Sequence, residues 1–268
     1  MEPKSKDLPK YEQPPVIEVV CGVQFSPLPG FQSVHLGDFW RRIQSDYPTT
    51  EDRPPLDDIR EPAQGTQVVT MLATDIPPLR RVFYIDSTTN FLLQLQSSRF
   101  LSNWRKRQPS DQYPSFEAAY SRFSRGWNDF LKFSKESGFP VPEANQYELT
   151  YVNHIHQTTE AFPVGIQRIL PLLSWKTARS ANFLPDPTSL ACRLQFNFPE
   201  SKGRLHVAVS HGLLDGKGLL VVDFTARGSA RKDWSDMHDW FSMAHEWIVS
   251  GFTDLTSSDA HSTWRRVK

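Results

Sequence analysis

Apolar and polar residues recur along this chain in two similar series. The first series begins at residues 16–25 (VIEVVCGVQF), where the alternation has the period of two that is typical of a strand. Residues 35–47 then have helical spacing, and residues 49–65, which are acidic and proline-rich, are predicted to form a surface loop. Three further strands are predicted over residues 67–73, 81–87 and 91–101. An apolar stripe at three-to-four spacing over residues 115–137 predicts a long helix that closes the series.

The second series opens with a predicted strand over residues 147–156 and a short, proline-interrupted helix over residues 162–173. Three strands follow, predicted over residues 190–198, 204–209 and 219–225. Ser235 then caps a last long helix that ends near residue 255. The order strand, helix, three strands, long helix therefore appears twice, although the two copies share little sequence identity. Either the chain is a duplication or this order recurs by chance in an α+β protein, and we favour the duplication.

We predict an α+β fold of two pseudo-repeated halves, each a curved antiparallel sheet with its helices on one face. Residues 1–15 form a flexible N-terminal arm in this prediction, residues 16–140 the first half, and residues 141–268 the second half with a C-terminal tail. The two sheets are free to join side by side. This plan resembles the duplicated saddle of TATA-binding-protein-like folds, a resemblance that rests on the order of the elements and carries no function with it.

Charge and composition narrow the classes of function. Thirty basic and thirty acidic residues cancel, which argues against wholesale electrostatic binding to nucleic acid or to an anionic membrane but allows a local basic patch. No apolar run approaches the ~18 residues of a membrane span, and residues 1–10 lack the apolar core of a signal peptide. Cys21 and Cys192 are the two cysteines and form no CxxC pair. We expect a cytoplasmic protein with reduced thiols, no metal site and no cofactor.

Three segments carry a resemblance to a known family. They are residues 14–20 (PPVIEVV) with Phe25, residues 91–105 (FLLQLQSSRFLSNWR), and residues 149–155 (LTYVNHI). Together they resemble a sporadically distributed family of bacterial proteins of about this length, for which no activity is established. The resemblance implies a bacterial cytoplasmic protein, and the sporadic distribution implies a mobile or defence-associated system. It supplies no catalytic residue.

The sharpest catalytic motif is residues 211–216 (HGLLDG). It resembles the HxxxDG pattern of CoA-dependent acyltransferases, and on that resemblance His211 is the general base and Asp215 orients the loop. Ser210 stands where those enzymes usually have a second histidine, and the residues after Gly216 have the pattern of a strand instead of a helix. Asp-Gly is also a hairpin turn signal. We favour the turn, and keep the acyltransferase as an alternative.

A basic cluster offers a second alternative. Arg99, Arg105 and Arg107 surround Trp104, and basic residues with an interleaved aromatic grip phosphates and stack bases. The same arginines are able to form ion pairs with the acidic residues of the loop at 49–65. Nucleic-acid binding through residues 99–107 is therefore an alternative function.

Histidines and one asparagine complete the candidates. His154 and His156 share one face of a predicted strand, with Asn153 directly before His154, but no third ligand for a metal stands nearby. We keep Asn153 and His154 as binding residues, and predict His238 and His245 on the polar face of the last helix. The sequence as a whole predicts a non-catalytic binding or interaction protein, with a protein as the favoured partner and a nucleic acid as the other. A sheet face or the seam between the halves is the expected binding surface.

Overall fold

The computed structural model describes residues 8–57, 59, 61, 79–156, 164–173, 183–214, 217–230 and 237–268. The first half consists of β1 (Val16–Phe25), α1 (Ser33–Ile43), β2 (Thr49–Arg53), β3 (Arg81–Ile85), β4 (Phe91–Gln96), β5 (Arg99–Arg105) and α2 (Phe116–Glu136). The second half consists of β6 (Ala144–His156), α3 (Val164–Ile169), β7 (Ala191–Asn197), β8 (Arg204–Leu214), β9 (Lys217–Ser229), α4 (Met237–Leu255) and α5 (Ser258–Thr263).

All the described strands form one antiparallel sheet in the order β2-β3-β4-β5-β1-β6-β9-β8-β7. The order is mirrored about the central β1–β6 pair, because β5, β4 and β3 lie beyond β1 as β9, β8 and β7 lie beyond β6. The long helices α2 and α4 pack on one side of this sheet, which we call the helix side, and the opposite side is the far side. The α+β fold predicted from the sequence is confirmed, and the two half-sheets are joined.

The first half differs from its predicted outline in two places. Residues 49–53, predicted as loop, form the edge strand β2, whose residues TTEDR are polar on both faces and give no alternation signal. The segment predicted as one strand over 91–101 is a hairpin, with a turn at residues 97–98 between β4 and β5. This turn contains two serines and no Gly, Pro or Asn to indicate it. The strand predicted over 67–73 lies outside the described residues.

The core lies between the helix side of the sheet and the two long helices. Ser115 begins α2 by accepting a hydrogen bond from the Ala118 amide at 3.1 Å, and Phe123 and Phe130 in its apolar stripe are fully buried. On α4, Trp240, Phe241, Ala244 and Ile248 are buried in the same way. Burying each such large apolar side chain stabilises the fold by about 1.5–3 kcal/mol. The stripes therefore fix which face of each helix meets the sheet.

A short segment crosses the far side of the sheet. Residues 54–57, 59 and 61, which we call the strap, are held by glutamine side chains that contact its main chain. The Gln96 side chain accepts from the Leu56 amide at 2.9 Å and donates to the Leu56 carbonyl at 3.0 Å. The Gln146 side chain donates to the Ile59 carbonyl at 2.8 Å. These contacts provide hydrogen-bond partners for glutamine side chains that are buried on the far side of the sheet.

The N-terminal arm, predicted to be flexible, is paired with the C terminus where the structure describes it. Tyr11 forms an antiparallel bridge with Arg266, and the Gln13 amide donates to the Trp264 carbonyl at 3.1 Å. The Tyr11 hydroxyl lies 2.9 Å from Thr253 Oγ1 on α4. The arm therefore pairs with the C terminus and packs against α4 of the second half.

Among the described residues, none of the helices combines the length and the apolar character that crossing a bilayer requires.

Candidate ligand site at the seam between the halves

A cavity of about 510 Å³, which we call the seam cavity, lies on the helix side where the two halves meet. The N-terminal arm, the start of α2, strand β6 and helix α4 form its walls. Alternation along β6 directs Tyr151 and Asn153 to the helix side, while the serine cap of α2 places Phe116 beside them. Its aromatic and polar wall is formed by Tyr113, Phe116, Tyr151, Asn153, His245 and Phe252. Two charged and exposed residues, Lys10 and Glu117, also line it.

Two tyrosines in the wall are hydrogen-bonded to each other. The hydroxyl oxygens of Tyr113 and Tyr151 lie 2.7 Å apart, and their rings meet edge to face. Burial raises the pKa of both hydroxyls, so each keeps its proton at neutral pH. One hydroxyl donates to the other, which leaves one O–H proton of the pair without an acceptor among the described residues. The pair is therefore able to donate a hydrogen bond into the cavity.

His245 lies in the cavity as a neutral imidazole. Its ring stacks on Phe116 with the centroids 4.3 Å apart and the planes at 4°. Burial lowers the pKa of His245 to about 4, and the negative charge of Glu117 opposes this shift only in part. No hydrogen bond to its ring nitrogens is found within the described part of the chain, so the ring offers one donor and one acceptor. The sequence predicts His245 on a polar helix face, but the first turn of α2 covers that face.

Asn153 and Trp104 support the same cavity in different ways. The Asn153 side-chain amide donates to the Val222 carbonyl at 3.0 Å, which fixes the orientation of a carboxamide in the wall. Trp104, predicted with the arginines, lies on the helix side with 3% of its surface exposed, and its ring meets Tyr113 edge to face. It is therefore part of the core behind the tyrosine pair and is not available to stack on a base beside the arginines.

The predicted basic cluster is divided by the sheet. Arg99 and Arg105 lie on the far side, where Arg99 is buried and its Nη2 donates to the Asp57 carbonyl of the strap at 3.1 Å. Arg105 Nε donates to the Thr89 carbonyl at 3.2 Å, and burial followed by the charge of Arg107 lowers the pKa of Arg105. Arg107 follows β5 and is exposed. The structure thus gives Arg99 a role in holding the strap.

His211 lies within strand β8 opposite Leu220 and is not among the residues that line the seam cavity. The pairing of β8 with β9 continues to Leu214 and Lys217, and a strand follows where the acyltransferase motif leads into a helix. Asp215, its predicted partner, lies outside the described residues.

Within the described ranges, no group of three or more His, Cys, Asp and Glu side chains is arranged to hold a metal ion. Cys21 is fully buried, which raises the pKa of its thiol, and Cys192 is half-buried on the edge strand β7.

Comparison with known proteins gives no functional assignment. No protein-family model matches the chain, and no curated protein matches it. Among solved structures, the chain is similar to DynU16, described as a protein in the dynemicin biosynthetic locus, at 12% sequence identity. That alignment covers 94% of this chain and 99% of DynU16 with a TM-score of 0.26, which is too low to support an argument about fold or function.

Proposed function

We propose that this protein is a non-catalytic binding protein that takes a small, uncharged, largely aromatic ligand in the seam cavity. The observation that carries the proposal is the neutral His245 imidazole beside the Tyr113–Tyr151 pair in one aromatic-lined cavity. A volume of about 510 Å³ fits a small organic molecule, because ligand pockets commonly measure about 300–1,000 Å³. The hydrogen-bonding groups of the wall would fix the orientation of such a ligand.

The pKa values of these groups favour binding over catalysis. A general acid or base works best when its pKa lies near the operating pH. The pKa of His245 is lowered to about 4, and those of the two tyrosines are raised, so all three are neutral and poorly matched to proton transfer at neutral pH. Lys10 and Glu117 are the charged residues of the described lining, and both are exposed, so the buried part of the wall offers no charge to a ligand. An uncharged ligand with a donor and an acceptor suits these groups.

The affinity for 2-quinolone, a neutral two-ring probe with one N–H donor and one carbonyl acceptor, tests this proposal by calorimetry. Val249 lines the cavity, and Val249→Phe would fill part of its volume. We expect this variant to bind the probe at least about tenfold more weakly than the wild type. The matched control is Val141→Phe, at a position that is 50% exposed and outside the cavity. Equal affinity in the wild type and Val249→Phe would refute the proposal, provided that circular dichroism shows both folded.

We further propose a protein as the macromolecular partner, as the sequence predicts. The balance of thirty basic and thirty acidic residues supports a protein over a nucleic acid. A pull-down with and without nuclease separates the two, since a protein partner survives the treatment and a nucleic-acid bridge is lost. The bacterial origin and the mobile or defence-associated system remain predictions from the family resemblance.

A further inference from the structure

A second cavity adjoins the seam cavity near the end of β6, and Pro14, Pro15 and Val16 line both. This cleft of about 610 Å³, which we call the basic cleft, opens where β1 begins and β6 ends, between the loop after β5 and the short helices α3 and α5. Four side chains able to carry positive charge line it: Lys106, His154, His156 and Arg168. Among the described lining residues, Asp259 is the one that carries a carboxylate. We propose that the basic cleft binds a small anion with two negative charges, of the phosphate or dicarboxylate class.

The sheet and the two helices hold these groups around the cleft. His154 and His156 are two residues apart on β6, so both imidazoles lie on the far side, and pairing with β9 extends to His156. The main-chain amide of Lys106 donates to the Ile17 carbonyl at 2.7 Å, which fixes the lysine beside the start of β1. On α3, the Ile169 carbonyl accepts from the Ser257 amide at 3.0 Å, so α3 and α5 are joined.

The charges around the cleft favour an anion. Within the described part of the chain, no acidic side chain lies within ion-pair distance of Lys106 Nζ. Burial lowers the pKa of His154, and the charge of His156 lowers it further. Glu18 and Asp223 lie on the same side of the sheet opposite Val152, and neither lines the cleft.

Binding of an anion should therefore be coupled to protonation of the histidines. An opposite charge close to an imidazole stabilises its protonated form, so a bound dianion raises the pKa that burial and His156 have lowered in His154. By linkage, affinity for a dianion of fixed charge rises as pH falls. Sulfate is a suitable probe because it keeps two negative charges between about pH 5 and pH 8, so any pH dependence comes from the protein.

Calorimetric titration of the full chain with sulfate tests the proposal. We expect Lys106→Ala to weaken sulfate binding about tenfold, and His154→Gln to reduce the pH dependence of that binding, with His156 supplying the remainder. Lys132→Ala is the matched control, because Lys132 is an exposed lysine on α2, away from the cleft. Titration with inorganic phosphate and with succinate at about pH 8 then assigns the anion class. Whichever of the two binds more tightly identifies the class, and binding of either one supports the site.

Two results would overturn the basic cleft as an anion site. One is absence of binding for sulfate, phosphate and succinate at millimolar concentration. The other is an equal effect of Lys106→Ala and Lys132→Ala, which would mean that only the net charge of the protein matters. Because sulfate is charged and 2-quinolone is neutral, a negative result with sulfate would not contradict the proposal that the seam cavity binds a neutral ligand.

Discussion

His245 illustrates how a neighbouring element decides the chemistry of one side chain. Its spacing from His238 on α4 predicts a polar face, yet both rings contact the start of α2, where His245 stacks on Phe116 and His238 meets Tyr120. No pattern within α4 could indicate this, because the contact joins residues more than a hundred positions apart in sequence. Asn153, by contrast, could be selected from the sequence, since a polar residue on the apolar side of a strand needs a specific partner.

The pKa of His245 predicts a loss of stability in mild acid. The ordinary pKa of 6.5 applies to the unfolded chain, whereas the folded pKa is about 4. Below about pH 6.5 the unfolded state takes up a proton that the folded state refuses, so the free energy of unfolding falls until about pH 4. Urea denaturation at several pH values measures this slope, and His245→Phe should flatten it. His154 and His261 act in the same direction, so the informative quantity is the difference between variant and wild type. Identical slopes would contradict the assignment.

Gly228 predicts a sharp steric effect in β9. A Cβ at this position would lie 2.2 Å from the Lys202 carbonyl oxygen and 2.6 Å from Trp240 Nε1, both of which are fixed by packing. We expect Gly228→Ala to lower the free energy of unfolding by about 1–3 kcal/mol. Gly212→Ala on β8 is the control, because a Cβ there has no heavy atom within 4 Å. Chemical denaturation measures the free energy of unfolding of both variants. Equal values would show that β9 shifts enough to accommodate the added methyl group.

The strap accounts for polar residues that the patterns of single elements leave unexplained. Its composition is acidic and proline-rich, which predicts a surface loop, and nothing local predicts that it crosses the sheet. Gln146 on β6 contacts it twice, at the Ile59 carbonyl and at the Glu61 amide, and the Glu61 side chain reaches His206 on β8. The strap therefore connects β4 of the first half with β8 of the second. Elements with a regular period could be predicted, whereas this segment depends on partners far along the chain.

Replacing Gln146 tests how firmly the strap is held. Gln146→Leu removes two hydrogen bonds to the main chain, each worth about 0.5–1.5 kcal/mol, and leaves a carbonyl and an amide of the strap without these partners. We expect lower stability and faster hydrogen exchange at residues 59 and 61. Gln112→Leu, at an exposed position in the loop before α2, provides the control. If exchange in the strap is the same in both variants, other contacts hold it.

The seam cavity is a feature of the complete chain, because it forms where the two halves meet. Neither half contains the seam cavity, because α2 belongs to the first half, and β6 and α4 belong to the second. The order of elements predicts a seam between the halves, and a cavity lies there. That this seam binds a ligand stays a prediction. The position of the arm could not be predicted, because residues 8–15 carry no periodic pattern and pair with the other end of the chain.

Tyr11 tests whether the arm contributes to the fold. Its ring packs edge to face against Phe252 and Trp264, and its hydroxyl bonds to Thr253. Tyr11→Ala should lower the thermal midpoint and speed hydrogen exchange at residues 10–13 and 265–267, because the arm loses its aromatic anchor. Tyr11→Phe keeps the ring and loses one hydrogen bond, so a loss of only about 0.5–1.5 kcal/mol is expected. Unchanged exchange in Tyr11→Ala would show that main-chain pairing alone holds the arm.

Chemical-shift mapping by NMR shows directly whether the seam cavity binds a neutral aromatic ligand. The isotope-labelled full chain is titrated with 2-quinolone, and the shifted resonances are assigned. We expect the largest shifts at Tyr113, Phe116, Tyr151 and His245, and we expect these shifts to disappear in Val249→Phe. Shifts centred away from these residues, or none at saturating probe, would contradict the proposal.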